Sequence, residues 1–310
     1  MPGKRVAEIR LLGGSRAILI SDETLKHLGM TDRIAAVLLE EEIAVPIVYT
    51  KIPTDSSLST ANKIAGICRK NDIDMIIGLG GGSVIDTAKG VRMILSQNSD
   101  DILKLSGYEG LPAGSPVPLC IIPTTSGTGS EVTGVAVIRD ENRDLKMEFI
   151  SAHIQPDIAV LDPQMTQSMP PKVTAATGMD ALCHAVEGYT CLQKNPLSDA
   201  YAVTALRTIA GSLKKAVADG SDTDARIEMA NAALMAGISF SNSMVGIVHG
   251  IGHALGAVCR IPHGTAMNIL LPHCMMYNMD VCGERYADLL LYLAGAEVYA
   301  STPEKERAEA

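Results

Sequence analysis

Residues 74–90 read DMIIGLGGGSVIDTAKG. DMIIGLG (74–80), with the aliphatic Met75–Ile77 at its heart, has the length and composition of a buried strand. Three consecutive glycines, Gly80, Gly81 and Gly82, end it, and a helix opens near Ser83. Without side chains at three successive positions, backbone N–H groups approach an anion closely. The helix start adds partial positive charge, so a pyrophosphate is the natural guest. The pattern is neither the GxGxxG of a standard dinucleotide fold nor a P-loop, since no Gly-Lys-Ser/Thr follows. A plain strand-to-helix turn uses the same residues, and both readings stand at this point.

Working outward, RAILIS (16–21), IAVPIVYT (43–50) and VPLCIIPTT (117–125) are further short aliphatic runs. SSLSTANKIAGICRKND (56–72), lying between two of them, has apolar spacing of three and four. Strands alternating with helices of this length predict βαβ units and a parallel sheet. Beyond 125 the pattern changes. GVAVIRDENRDLKMEFIS (134–151) reads as a hairpin over a charged turn, and DIAVLDP (157–163) as one more strand. From 164 the strand signals fade into Ala-, Met- and Leu-rich helical stretches at 173–190, 198–220 and 222–242. The expected organisation is an α/β nucleotide-binding domain over 1–163 and a helical, metal-binding domain over 164–310. The tail, VYASTPEKERAEA, reads as a polar helix with no packing partner.

The chain has 310 residues, 47% hydrophobic and 20% charged, with no Trp and two Phe, so its core is aliphatic. A net charge of -9 argues against nucleic acid or an anionic membrane as partner. No stretch reaches the ~18 apolar residues of a membrane span, and the amino-terminal MPGKRVAEIRLLGG lacks the apolar run of a secretory signal. Seven cysteines, an odd number at irregular spacing with no CxxC, fit reduced thiols in a cytoplasmic protein. Cys183 and Cys259 lie near histidines and are read as buried filler.

IIPTTSGTGSEVT (121–133) packs six Ser/Thr and two Gly into the end of a strand, where an open α/β sheet places its ligand. Asp22, just past the first strand, is suited to a ribose diol and repels a 2'-phosphate, which favours NAD over NADP. As an N-cap for the following segment it has an equally ordinary role, and spacing alone puts the cap first.

Asp180 and His184 in GMDALCHAVEGY stand four apart, as do His249 and His253 in VHGIGH, so each pair shares a helix face. His263 follows ten residues after His253, beyond Pro262. Unpaired imidazoles in such apolar, Gly-rich surroundings are costly. One Asp with several His is the mixed N/O set expected for Fe(II), Zn(II) or Mn(II). Spacing leaves open whether His253 is a ligand or a neighbour.

GGGSVIDTAKG, PTTSGTGSEVT, ATGMDALCHAVEGY and VHGIGHALG…PHGTAMNILLPH, in this order, resemble the iron-containing (group III) alcohol dehydrogenase family over nearly the whole chain. Within that family the chain is most similar to the lactaldehyde reductases (1,2-propanediol oxidoreductases). The resemblance implies a Rossmann-like α/β amino-terminal domain and an all-helical carboxyl-terminal domain, as in dehydroquinate synthase. It also implies NAD as cofactor and Fe2+, or Zn2+, as metal, with Asp180, His184, His249 and His263 as ligands. His253 becomes the non-ligand histidine beside the substrate, with a proton-relay role. Gly81, Gly82 and Ser83 would hold the pyrophosphate, Thr124, Thr125 and Thr128 would lie along the cofactor, Lys146 near its ribose and Asp22 at the adenosine ribose. The implied activity interconverts a small primary alcohol or diol and its aldehyde, in a homodimer or larger homo-oligomer.

Two features depart from the family pattern. Ile52-Pro53-Thr54 stands where many members carry Asn-Pro-Thr, and the family usually continues through further helices beyond residue 310. The alternatives are therefore a shortened, inactive nucleotide-binding remnant or a related metal- and NAD-dependent lyase. The lyase needs basic residues for an anionic substrate, and the helical motifs offer little beyond Arg260.

Overall fold

The structure, a computed structural model, describes residues 8–106 and 117–310. The first seven residues of MPGKRVAEIRLLGG, the stretch without a secretory apolar run, lie outside them. The chain divides into two compact units, one of residues 1–124 with 130–161, the other of 125–129 with 162–310.

In the first unit, β1 (Arg16–Ile20), β2 (Ala44–Tyr49), β3 (Met75–Gly80), β4 (Leu119–Pro123) and β7 (Ile158–Ala159) form a five-stranded parallel sheet in the order β2-β1-β3-β4-β7. Register pairs Ile18 with Ile76, Ile77 with Cys120 and Ile121 with Ala159. β3 and β4 are buried along their whole length, which is why they read as unbroken apolar runs and not as alternating ones. β2 is an edge strand; it alternates exposed and half-buried residues and tolerates Pro46, whose missing N–H would break an interior ladder. β5 (Val135–Asp140) and β6 (Leu145–Ile150) form the expected antiparallel hairpin. Its charged turn closes on Asp140, which accepts from the Asn142 and Arg143 amides.

Helices of this unit among the described residues include α1 (Glu23–His27), α2 (Met30–Glu40), α3 (Leu58–Lys70) and α4 (Gly82–Ser96). α3 and α4 lay Ala61, Ile64, Ala65, Val84, Ile85, Ala88 and Val91 into one core with Ile18, Ile76, Ile121, Ile138 and Phe149. Burial at ~25 cal/mol per Å2 of apolar surface makes this cluster the main stabilising term of the unit.

The second unit is helical from α5 (Pro171–Thr190) through α6 (Pro196–Ala218), α7 (Thr223–Ser243), α8 (Ile247–Cys259), α9 (His263–Tyr277), α10 (Met279–Ala294) and α11 (Ala296–Ser301). Cys183, Ala185, Ala202, Ala205, Leu206 and Ala236 form the heart of its core, where small side chains let α5, α6 and α7 approach closely. α6 starts on a capping box: Asn195 Oδ1 accepts from Ser198 N while Ser198 Oγ accepts from Asn195 N, with Pro196 at the first helical position. Arg226 is buried at the start of α7. Its guanidinium donates to Gly220 O, Thr174 Oγ1 and Met169 O, which ties α7 to the first turn of α5.

α7 and α8 meet at a bend of 105°, across Met244 (φ 69) and Gly246, the N-cap of α8. The bent pair together has the length and composition of a broken span, but no single described helix is long and apolar enough to cross a membrane. Three expectations need correction. The tail is not one polar helix: Thr302 turns extended before Pro303, as a residue preceding proline must, and a short 3-10 turn follows at 304–306. Nor is it without packing, since Ala308 lies against the helical core and the Arg307 guanidinium sits 4.0 Å over the Tyr299 ring. Cys183 is buried as expected, whereas Cys259 is exposed at the last residue of α8, beyond the packed face.

Candidate metal centre and nucleotide loops

Asp180 and His184 project from one face of α5 and are both buried. His249, from the first turns of α8, is buried beside them. One donor atom from each of Asp180, His184 and His249 lies within 4.8 Å of the other two. His249 Nε2 is 3.8 Å from Asp180 Oδ1, and His263 Nε2, from the first residue of α9, is 3.4 Å from the same oxygen. Metal–ligand bonds of ~2.0–2.2 Å in a tetrahedron set donors roughly 3.3–3.6 Å apart, so these separations suit a transition metal. His253, half-buried, meets His249 edge-on at 5.8 Å between ring centroids and His263 at 5.3 Å.

The donors fit a metal on a second count. Asp180 Oδ1, His184 Nδ1 and His249 Nε2 are buried with no hydrogen-bond partner, although buried polar atoms are nearly always satisfied. Ionisation agrees with ligation. Burial alone raises the Asp180 carboxyl, but the His263, His184 and His249 imidazoles outweigh it and hold Asp180 well below the usual carboxylate range. Burial pushes His184 down to about 3 against the attraction of Asp180, so the ring is neutral and offers a lone pair at neutral pH.

Local packing aims these groups. The His184 ring lies between Phe240, at 4.5 Å, and His249, at 4.3 Å, stacked on both sides. α9 presses its first turn onto α5: a Cβ at Gly264 would stand 2.5 Å from Ala176 O, so only glycine lets His263 come so near Asp180. The 125–129 segment lies on the same helices. Gly129, at φ 61, meets α7 where a Cβ would be 2.6 Å from the Gly237 Cα.

In the first unit α4 begins at Gly82 with Gly81 as N-cap (φ −86) and no capping side chain, so its first N–H groups are open to an anion. Ser83 Oγ donates to Thr54 O, within the Ile52-Pro53-Thr54 departure, and Thr124 N donates to Gly80 O at 3.0 Å, joining the ends of β3 and β4. Thr124 is buried; Thr125 and Thr128, half-buried, belong to the segment of the second unit. Asp22 caps α1, its Oδ1 accepting from Leu25 N at 2.9 Å. Lys146, on β6, pairs with Asp55 at 3.0 Å.

Three residues with evident work were not singled out from the sequence. Glu187, buried on α5, accepts from Val248 N at 2.8 Å and contacts His249 Nδ1. It follows Asp180 by seven and His184 by three, so the same helical spacing that flagged those two also marks it. Phe240 carried no signal. Lys89, inside the opening motif, is buried and donates to Ser130 Oγ, Thr133 Oγ1 and Val135 O, while Asp86 accepts from Ser130 Oγ and Val137 N. This network fastens α4 to the end of the Thr-rich loop and to β5.

Residues 4–163 match the family described as iron-containing alcohol dehydrogenase, and residues 174–310 its carboxyl-terminal part, the Fe-containing alcohol dehydrogenase family, C-terminal. Long-chain-alcohol dehydrogenase 1 of Geobacillus thermodenitrificans is 40% identical over 301 residues, 96% of this chain and 75% of that protein. Lactaldehyde reductase of Escherichia coli K12 is 37% identical over 307 residues, 98% of this chain and 79% of the relative. Among solved structures, sulfoacetaldehyde reductase from Bifidobacterium kashiwanohense in complex with NAD+ superposes with a TM-score of 0.87 at 28% identity, covering 99% of this chain and 79% of that one. The chain belongs to the iron-containing alcohol dehydrogenase family.

Proposed function

We propose that the chain is a metal-dependent NAD(H) alcohol dehydrogenase that interconverts a small primary alcohol or diol and its aldehyde. The observation that carries this reading is the trio of buried ligand atoms Asp180 Oδ1, His184 Nδ1 and His249 Nε2, gathered together and making no hydrogen bond, in a chain of this family. Asp180, His184, His249 and His263 hold the metal, Fe2+ or Zn2+, which when bound supplies a Lewis acid for the alcohol oxygen. Bound NAD would supply the hydride acceptor. Its pyrophosphate rests on Gly81, Gly82 and Ser83 at the uncapped start of α4. Thr124, Thr125 and Thr128 run along the cofactor, Lys146 lies near its ribose, and Asp22 accepts from the adenosine ribose with the carboxylate capacity its cap leaves. His253, beside His249 and His263 but less buried than His249, carries the hydroxyl proton outward.

The test is metal analysis of anaerobically purified protein, then NAD reduction with 1,2-propanediol and simple primary alcohols after loading with Fe(II) or Zn(II). His263→Ala is expected to lose metal and activity together, whereas His253→Ala keeps its metal and turns over about 100–10,000-fold more slowly. Absence of both metal uptake and NAD turnover in folded protein overturns the reading. Equal metal loss in the two variants overturns the division of roles.

A further inference from the structure

We infer that Glu187 is a positioning residue: it fixes His249 as the tautomer that carries hydrogen on Nδ1, leaving Nε2 bare toward Asp180. The two carboxylate oxygens of Glu187 serve different donors. Oε1 accepts from the Val248 amide at 2.8 Å, and Oε2 contacts His249 Nδ1. A carboxylate has only acceptors to offer, so the imidazole nitrogen that meets it bears the hydrogen, and of the two neutral tautomers this is the one with its lone pair on the other nitrogen. That nitrogen, Nε2, is the buried, unpartnered atom 3.8 Å from Asp180 Oδ1.

The same side chain completes the start of α8. Gly246, the N-cap of that helix, has no side chain to satisfy the amides of the first turn, and Glu187 reaches across from α5 to take one of them. The fit is close: a Cβ at position 246 would stand 2.8 Å from Glu187 Oε1. Helix capping and ring orientation therefore depend on one carboxylate wedged between α5 and α8. That the bare nitrogen serves a metal rests on the function proposed above; the tautomer does not.

Glu187→Gln separates these roles, because an amide has one acceptor where two donors require two. With its oxygen toward Val248 N, its NH2 faces Nδ1 and drives the hydrogen to Nε2. With its oxygen toward Nδ1, the NH2 confronts the Val248 N–H. Long-range 15N–1H spectra of metal-stripped protein labelled in histidine report the tautomer directly, with the His249 signals assigned by their loss in His249→Gln. The wild-type chain is expected to show hydrogen on Nδ1 of His249, and Glu187→Gln a shift toward Nε2. Zn(II) affinity, by competition with a chromophoric chelator, is expected to fall about 10–100-fold in the variant. A hydrogen on Nε2 of wild-type His249, or an unchanged tautomer and affinity in Glu187→Gln, overturns the inference. The wild-type spectrum decides even if the variant does not fold. Wild-type protein that takes up no Zn(II) yet shows the expected tautomer refutes the metal centre and leaves the positioning role standing.

Discussion

Lys89 shows how much a single buried charge organises. An ammonium has three N–H bonds, and Ser130, Thr133 and Val135 take all three. Burial nevertheless lowers Lys89 to about 8, against Asp86 and Glu131, and raises the nearby Glu131 to about 7, against its own amide and Lys89. Between pH 4.5, the ordinary glutamate value, and about 7, the folded chain keeps a proton on Glu131 that the unfolded chain has released. Stability from this group is therefore complete below that window and lost as pH rises through it. Lys89 acts in the opposite sense, since from about 8 to 10.5 the unfolded chain holds the additional proton and stability rises with pH. Glu131→Gln removes the first slope. Urea titrations should find the variant gaining on the wild type from acid to neutral pH by on the order of 1–3 kcal/mol. A difference independent of pH means that Glu131 does not retain its proton.

At the scale of elements, α5 is the organising piece of the helical unit. Its Asp180 and His184 were legible because a period of 3.6 places residues four apart on one face. Glu187 shares that face, but its residue type carries no signal of burial, because a glutamate in a helix ordinarily faces water; only the packing of α8 onto α5 buries it. The seat of α9 is equally a matter of packing. Gly264→Ala places a methyl 2.5 Å from a backbone carbonyl that has no rotamer to yield, so the first turn of α9 must move and take His263 with it. The expected outcome is a folded protein with unchanged helix content by circular dichroism and at least tenfold weaker Zn(II) binding. Wild-type affinity in this variant shows that the contact does not seat His263.

On the scale of the whole molecule, a ligand that binds only the folded chain stabilises it by mass action. Loading metal-stripped protein with Zn(II) at a hundredfold its dissociation constant is expected to contribute about 2.7 kcal/mol and to raise the thermal midpoint by a few degrees. Calorimetry with and without a strong chelator checks this, and coincident midpoints show that Asp180, His184, His249 and His263 hold no metal in the folded state.

The sequence by itself determined the class of the fold and the kinds of atom available to the site. Buried strands leave unbroken apolar runs and amphipathic helices leave periodic ones, both depending only on neighbours along the chain, and β3, the hairpin and α5 are readable for that reason. The strand order β2-β1-β3-β4-β7, the membership of 125–129 in the helical unit, the break of the tail at Pro303 and the exposure of Cys259 were decided only by tertiary structure. So was the meeting of Glu187 with His249, or of Gly264 with Ala176 O. These depend on contacts between segments distant in sequence, whose energies come from burial and close packing and leave no periodic trace in the chain.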